Sequence, residues 1–389
     1  MRNDIIKTEI AVVGAGPAGS TAAEVAAKLD AKVTLIDRKA EIGSPVQCGG
    51  FLPEAHELRS LLPRALLPDT LIEIPERIVL HRTGVQRIYS PSGRSKEFPV
   101  EGRVIDRRNF DRYLVQRVAR AGAEVMVSTR ASFTDGLSLS GHFSGPVDAK
   151  VVIGADGPSS SIGRGAGMAK RSEVGVCLEY EMVGVDIDPR AAEMYFGTRC
   201  APGGYAWIIP MGPDTANVGV GVRSSYLAGG TKLRELLDHF VRDHLVAREK
   251  LRHGEIVAIM RGLVPAGGIS SPILKENLLL VGDAAGQVMA TSGGGIPLAM
   301  VGGRIAGEVA AGHIRGGCGL DEYPSRTDDE MGQELENSVR IRRLVDKVMR
   351  SDRLMDALLA MIPPEQMKAA QRGQVPESLM RVHDLVAKN

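Results

Sequence analysis

Residues 9–19 read Glu-Ile-Ala-Val-Val-Gly14-Ala-Gly16-Pro-Ala18-Gly19, and a helical run from Ser20 to Leu29 follows them. The apolar residues before Gly14 predict a short buried strand, and a second predicted strand, Lys32 to Ile36, ends in Asp37. Strand, glycine turn, helix and strand in this order form a dinucleotide-binding unit, the context that gives the Gly-x-Gly-x-x-Gly pattern its meaning. Gly14 permits the tight turn, Gly16 lets a pyrophosphate sit on the backbone, and Gly19 lets the helix pack closely on the strand. Ala18 lies where the helix begins, and the free N–H groups and partial positive charge there suit phosphates. Asp37, 23 residues past Gly14, is placed to accept hydrogen bonds from a ribose diol.

This unit alone does not separate NAD from FAD. Two later segments narrow the reading. Val151-Val-Ile-Gly-Ala-Asp156-Gly157 is another apolar strand ending in a sharp Asp-Gly turn. Leu278-Leu-Leu-Val-Gly282-Asp283-Ala-Ala-Gly286 is a third, with its acid at the strand's carboxyl end. With an early Gly-x-Gly-x-x-Gly, an internal Asp-Gly and a late Gly-Asp in order, the chain resembles the FAD-dependent family that includes aromatic hydroxylases and geranylgeranyl reductases. The resemblance implies FAD as cofactor and puts Asp283 on its ribityl chain.

Four further segments are similar to the geranylgeranyl reductase branch. Glu41-Ile-Gly-Ser-Pro-Val-Gln-Cys48-Gly49 looks like that branch's cysteine loop, which passes the flavin ring. Arg107-Arg-Asn-Phe110-Asp111-Arg-Tyr-Leu114 matches an Arg-x-x-Phe-Asp-x-x-Leu helix start whose Arg contacts FAD. By the same resemblance Ala131, just past a strand predicted from Glu124 to Ser128, touches the adenosine end through its backbone. Tyr205-Ala-Trp207-Ile-Ile-Pro210, eight residues, then Gly219-Val-Gly221 is very similar to a Tyr-x-Trp-x-Phe-Pro…Gly-x-Gly hairpin that lines a lipid cavity, with Ile209 in place of Phe.

The residues of this hairpin agree with that role. Tyr205, Trp207 and Ile209 alternate and share one face of a strand. Gly219 and Gly221 remove side chains from the partner strand, which a strand avoids unless something approaches closely. The register is open, so the two features share a side or not. The last glycine cluster, Ser292-Gly-Gly294-Gly295-Ile296, leads through Pro297 into a helix running to His313. Pro suits the first helical position, and the helix's positive end is placed to face a reduced flavin. Cys48 has two readings: a small buried hydrophobe, or, by resemblance, a group that delivers a proton or positions the alkene.

The expected architecture is α/β: a Rossmann-type FAD-binding domain of residues 1–60, 100–172 and 274–325, an inserted β-rich substrate domain of 61–99 and 173–273, and a helical C-terminal segment, 326–389. In that segment Leu335, Val339, Leu344, Val348, Met355, Leu358 and Leu359 fall near helical spacing, and Arg340, Arg342, Arg343, Lys347, Arg350 and Arg353 crowd the same stretch. A basic amphipathic helix either caps a domain or lies on an anionic membrane surface.

Composition limits the alternatives. The 389 residues carry 48 basic and 47 acidic side chains, a net charge of +1, with no basic field to displace phosphate counterions from nucleic acid. An apolar fraction of 43% with 24% charged is ordinary globular composition, enough for a large core. No apolar run reaches the roughly 20 residues that span a bilayer, and the start enters a strand too soon for a signal peptide. The expected location is therefore cytoplasmic, with peripheral contact on the cytoplasmic membrane face if the basic C-terminal helix takes the second of its two readings. Cys48, Cys177, Cys200 and Cys318 show neither a CxxC pair nor zinc-ligand spacing, so no metal or disulfide framework is expected.

The leading functional expectation is a flavin-dependent reductase that hydrogenates isolated double bonds of geranylgeranyl chains on archaeal-type lipid precursors. An oxygen-using aromatic hydroxylase and a prenyl-binding escort protein are the alternatives. The expected partners are a prenylated lipid and an electron donor, which is ferredoxin, a deazaflavin or NAD(P)H.

Overall fold

The computed structural model describes residues 5–168, 173–227, 230 and 232–376; the last part of the expected helical segment, 377–389, lies outside them. Two eight-stranded sheets organise the chain. In the first, Ile6–Val13 runs parallel to Val33–Ile36 on one side and to Gly145–Gly154 on the other, with Leu278–Leu280 parallel beyond that. Ile10, Val12, Leu35, Val151 and Leu279 are all fully buried or nearly so. A run apolar on both faces needs cover on both, which is why these strands sit in the centre of a parallel sheet. The helix Pro17–Lys28 packs against the long helix Ile296–Ile314 on one side and against Arg107–Arg120 on another.

The second sheet is largely antiparallel, in the order Glu255–Pro265, Val174–Val183, Thr215–Arg223, Tyr205–Pro210, Ala191–Tyr195, Val79–Tyr89, Ser95–Ile105 and Phe51–Pro53. Ser95–Ile105 pairs with Val79–Tyr89 across the expected boundary at residue 100, and Phe51–Pro53 joins from within the expected 1–60 segment. Strand alternation divides this sheet cleanly. Leu178, Tyr180, Met182, Val218, Val220 and Val222 point to a core shared with Leu237 and Phe240 of the helix Leu233–Asp243. The residues between them face the other way.

Over that other face lie the helices Gln333–Val348, Asp352–Met361 and Pro364–Gln371. Ile341, Val348, Met355, Leu358 and Leu359 cluster with Ile88, Phe98 and Met194 of the sheet. The apolar seam that the sequence offers to a membrane is thus turned inward, because an adjacent sheet face needs covering. Among the described residues no helix is long and apolar enough to cross a membrane.

Candidate active site

The glycine turn after Ile6–Val13 is built as its spacing requires. Gly14 has φ +105°, and a Cβ there would lie 2.3 Å from the Ala155 carbonyl oxygen; at Gly19 it would lie 1.9 Å from that of Gly14. These two glycines are therefore required by the protein's own packing. Gly16 differs: a Cβ there would meet nothing within 4 Å, so its face is open. The helix that follows has no side-chain cap, and the N–H groups of its first turn, around Ala18, lack intrahelical partners. Asp37 accepts from the N–H groups of Ala15 at 2.7 Å and Lys39 at 2.8 Å, which fixes its carboxylate beside the turn and leaves lone pairs for another donor. Ala131 lies in the strand Thr129–Phe133, whose Thr129 N–H donates to the Asp37 carbonyl at 2.9 Å. The strand before it is shorter than expected, Glu124–Met126.

A second patch adjoins the first: a Cβ on Gly282 would lie 2.8 Å from Cβ of Ala18. Next to Gly282, Asp283 reaches the start of the helix Ile296–Ile314, where a Cβ on Gly295 would stand 3.3 Å from its Oδ1. That helix also begins without a side-chain cap, so Gly294, Gly295 and Ile296 present a bare N-terminus. Burial pushes the Asp283 carboxyl up to about 6, opposed by the charge of Arg107. Arg107 pairs with Asp111 at 3.1 Å and also borders Cys48. Burial pulls its guanidinium down, but Asp111 and Cys48 outweigh this and leave it above its ordinary value. Cys48 thus has a cationic neighbour, although no close neighbour in sequence supplies one. Its sulfur also accepts from Gly50 N–H at 3.4 Å.

Cys48 and Gly49 open onto a cavity of about 440 Å³ between the second sheet and the C-terminal helices. Tyr205, Trp207 and Ile209 line it with Cys177, Glu179 and Gly221. The hairpin register pairs Trp207 with Gly219 and Tyr205 with Gly221, so both features share one side. Gly219, expected to line the cavity, does not: the indole of Trp207 covers it, and a Cβ there would lie 2.2 Å from Cζ2. Gly221 remains on the wall, with Cys177 Sγ 3.2 Å from where its Cβ would be. Tyr205 donates its hydroxyl to the Ser292 carbonyl, tying the hairpin to the last glycine loop.

Sequence reading missed three parts of this site. The first is a hydrogen-bonded line in which Trp207 Nε1 donates to Asn217 Oδ1 at 2.7 Å and Asn217 Nδ2 donates to Glu179 Oε2 at 3.0 Å. Glu179 is 3% exposed, and burial raises its pKa against the pull of Asn217 and Arg107. An acid set between Leu178 and Tyr180 in a strand was the available signal. The second is the roof, where Ile341, Val345, Met349, Met355 and Leu358 of the C-terminal helices line the cavity. The third is a charged group, Arg223, Arg342 and Asp346, in the same wall.

An uncapped helix start beside an open glycine, a positioned acid on the next strand and a roofed apolar cavity against the cysteine loop define a dinucleotide-dependent enzyme for an apolar substrate. The comparisons agree. Residues 12–50 match the NAD(P)-binding Rossmann-like domain, and residues 173–264 match the geranylgeranyl reductase catalytic domain. The digeranylgeranylglycerophospholipid reductase 2 of Methanopyrus kandleri is 35% identical over 381 residues, 94% of this chain and 93% of that one. The digeranylgeranylglycerophospholipid reductase of Methanocaldococcus jannaschii is 38% identical over 377 residues, 92% of this chain and 90% of that one. The crystal structure of a geranylgeranyl bacteriochlorophyll reductase-like protein from Thermoplasma acidophilum superposes with a TM-score of 0.83 at 29% identity, covering 98% of this chain and 100% of that one. The chain belongs to the geranylgeranyl reductase family of flavin-dependent oxidoreductases.

Proposed function

We propose that this chain binds FAD and hydrogenates isolated double bonds of the geranylgeranyl chains of an archaeal-type glycerophospholipid precursor. The observation that carries the reading is the cavity floor, an apolar sheet face with Tyr205, Trp207, Ile209 and Gly221 that begins at the Cys48 loop. Gly14, Gly16, Ala18 and Gly19 would hold the pyrophosphate, and Asp37 and Ala131 the adenosine end. Arg107, Asp283, Gly294, Gly295, Ile296 and the Cys48–Gly49 loop would hold the flavin end. The open face of Gly16 and the two uncapped helix starts fit those roles.

FAD, when bound, supplies the hydride. The chain's own part is to orient the alkene, keep water out and hold a proton close to it. Cys48 Sγ, Cys177 Sγ and the Glu179 carboxyl are protic groups on the cavity wall. Burial pushes the Cys177 thiol up to about 12, with Glu179 and Cys48 adding to it, so this thiol stays protonated at neutral pH. Glu179 is shifted in the same direction.

Anaerobic incubation of the reduced, FAD-loaded protein with a geranylgeranyl glycerophospholipid tests this reading. Mass gains of two hydrogens per reduced bond are expected. No gain, together with phenol-stimulated oxygen uptake, would replace the reading with a hydroxylase.

A further inference from the structure

The cavity floor ends in charge that an apolar ligand leaves unused. Along Thr215–Arg223, Arg223 follows Gly219 and Gly221 on the face that Trp207 covers, opposite Gly175. Arg223 is 8% exposed. From the helix Gln333–Val348, Arg342 and Asp346 reach the same place one turn apart. Arg223 Nη2 lies 2.5 Å from Asp346 Oδ1, and Arg342 Nη1 donates to Asp346 Oδ2 at 2.9 Å.

Two guanidiniums therefore share one carboxylate. The sharing leaves donors over: Arg223 Nε and Arg342 Nε are buried without a hydrogen-bond partner. Burial moves Arg342 down and Asp346 up, and their attraction to each other, with that of Asp346 to Arg223, only partly opposes it. Glu173 is the other acid nearby, but it accepts from Ser224 Oγ at 2.8 Å and Ser225 N–H at 3.1 Å at the end of the strand. The ring of Tyr226 lies 5.3 Å from the Arg223 guanidinium and offers no anion. A second basic pair on the wall, Lys368 and Arg372, is better matched: both engage Glu57, and Lys368 also donates to the Pro99 carbonyl at 2.6 Å. Buried guanidinium donors without acceptors are costly, and an anion entering the cavity relieves that cost.

We propose that Arg223 and Arg342 bind the phosphate of the lipid substrate's headgroup, with the prenyl chains running from it over Gly221 and Trp207 toward Cys48. Asn217, beside the Cys48 loop, and Arg223 are six residues apart on one strand, so the subsite lies about 20 Å from the reacting end. A planar guanidinium pair suits a phosphate oxygen set, and Arg does this better than Lys because of its fixed fork of donors. The assignment of the anion to a lipid rests on the function proposed above; the anion subsite itself does not.

Trp207 is the chain's one tryptophan and stands between the two ends, so its fluorescence reports binding without turnover. The FAD-loaded protein is titrated with digeranylgeranylglyceryl phosphate, with the same lipid lacking phosphate, and with inorganic phosphate. The phosphorylated lipid should bind more tightly than the headless one. R342Q and R223Q should each shrink that ratio by about tenfold or more, the effect of losing a hydrogen bond to a charged group. Inorganic phosphate should compete with the phosphorylated lipid alone, and K347Q, on the exposed side of the same helix, should leave the ratio unchanged. Equal binding of both lipids by the native protein would overturn the proposal. So would equal weakening of both lipids in R342Q and R223Q, which would make these arginines fasteners between helix and sheet. Tight inorganic phosphate without discrimination between the lipids would assign the site to free phosphate instead. Because binding is read separately from reduction, a failed reduction assay would count against the reaction and not against the subsite.

Discussion

Trp207 and Gly219 face each other across the hairpin, and the indole occupies the space a side chain at 219 would need. Gly219 is a seat for the ring. The ring's Nε1 is also held by Asn217, two residues along the same strand as Gly219, so edge and face are both fixed. A wall side chain fixed in this way has little conformational freedom left to lose when an apolar chain arrives.

Gly219→Ala should therefore disturb the indole before it touches any substrate. Its Cβ would come within 2.2 Å of Trp207 Cζ2, and overpacking of this kind costs about 1–3 kcal/mol. The expected result is a lowered Tm and shifted tryptophan emission with flavin absorbance retained. Gly221→Ala is milder, since its nearest neighbours stand at 3.2 and 3.4 Å, and should mainly narrow the cavity. Unchanged emission and Tm in Gly219→Ala would show that the ring does not sit there.

Asp37→Ala should weaken FAD by about tenfold or more, the equivalent of roughly 1.5–3 kcal/mol for a hydrogen bond to a charged group. The carboxylate also holds the N–H groups of Ala15 and Lys39, so part of the loss is a looser turn. Asp37→Asn keeps an acceptor and should lose less. Flavin titration of the apoprotein measures both variants, and affinity equal to the native protein's in Asp37→Ala would remove this residue from the cofactor site.

The parts legible in sequence are those written locally. Gly14 to Gly19 lie within one turn and its helix, so spacing located them, and Asp283, in the turn just past the strand Leu278–Leu280, followed from the resemblance carried by its Gly-Asp motif. Arg107 beside Cys48 was not legible as a pair, because a helix start and a distant loop meet only in the tertiary fold. Arg223 and Arg342 come together for the same reason, and the basic run that contains Arg342 reads equally as a solvated face. The inward turn of the C-terminal seam depended on an uncovered sheet face elsewhere in the chain. Hairpin register likewise decided the role of Gly219, and a shift of one residue would have reversed every side chain.

Cys48→Ser should retain FAD and reduction of the flavin by dithionite, while slowing alkene reduction. The hydroxyl nearly preserves size but changes acidity, and Arg107 lies beside the group it replaces. Single-turnover oxidation of the reduced protein by lipid, compared with the dithionite rate, separates the two steps. Equal rates in variant and native protein would leave Cys48 a packing residue.

Glu179→Gln tests the buried acid through pH. In the native fold burial raises this carboxyl above its ordinary value, and the Asn217 hydrogen bond and the Arg107 charge only partly oppose it. An unfolded Glu titrates near about 4.3, so the folded state binds this proton more tightly than the unfolded one. Its contribution to stability is then fully present below that pH and is lost as pH rises through the folded value. Gln is neutral throughout and keeps a partner for Asn217. The Tm difference between variant and native protein should thus move in favour of Glu179→Gln as pH rises from about 4. A difference that stays constant with pH would mean the acid titrates normally. Alkene reduction adds a second readout. If the Glu179 proton reaches the alkene, the native rate falls as pH rises through the folded value, and Glu179→Gln is slow and lacks that limb. A variant that reduces lipid at the native rate with the native pH profile would leave the proton to Cys48 or Cys177.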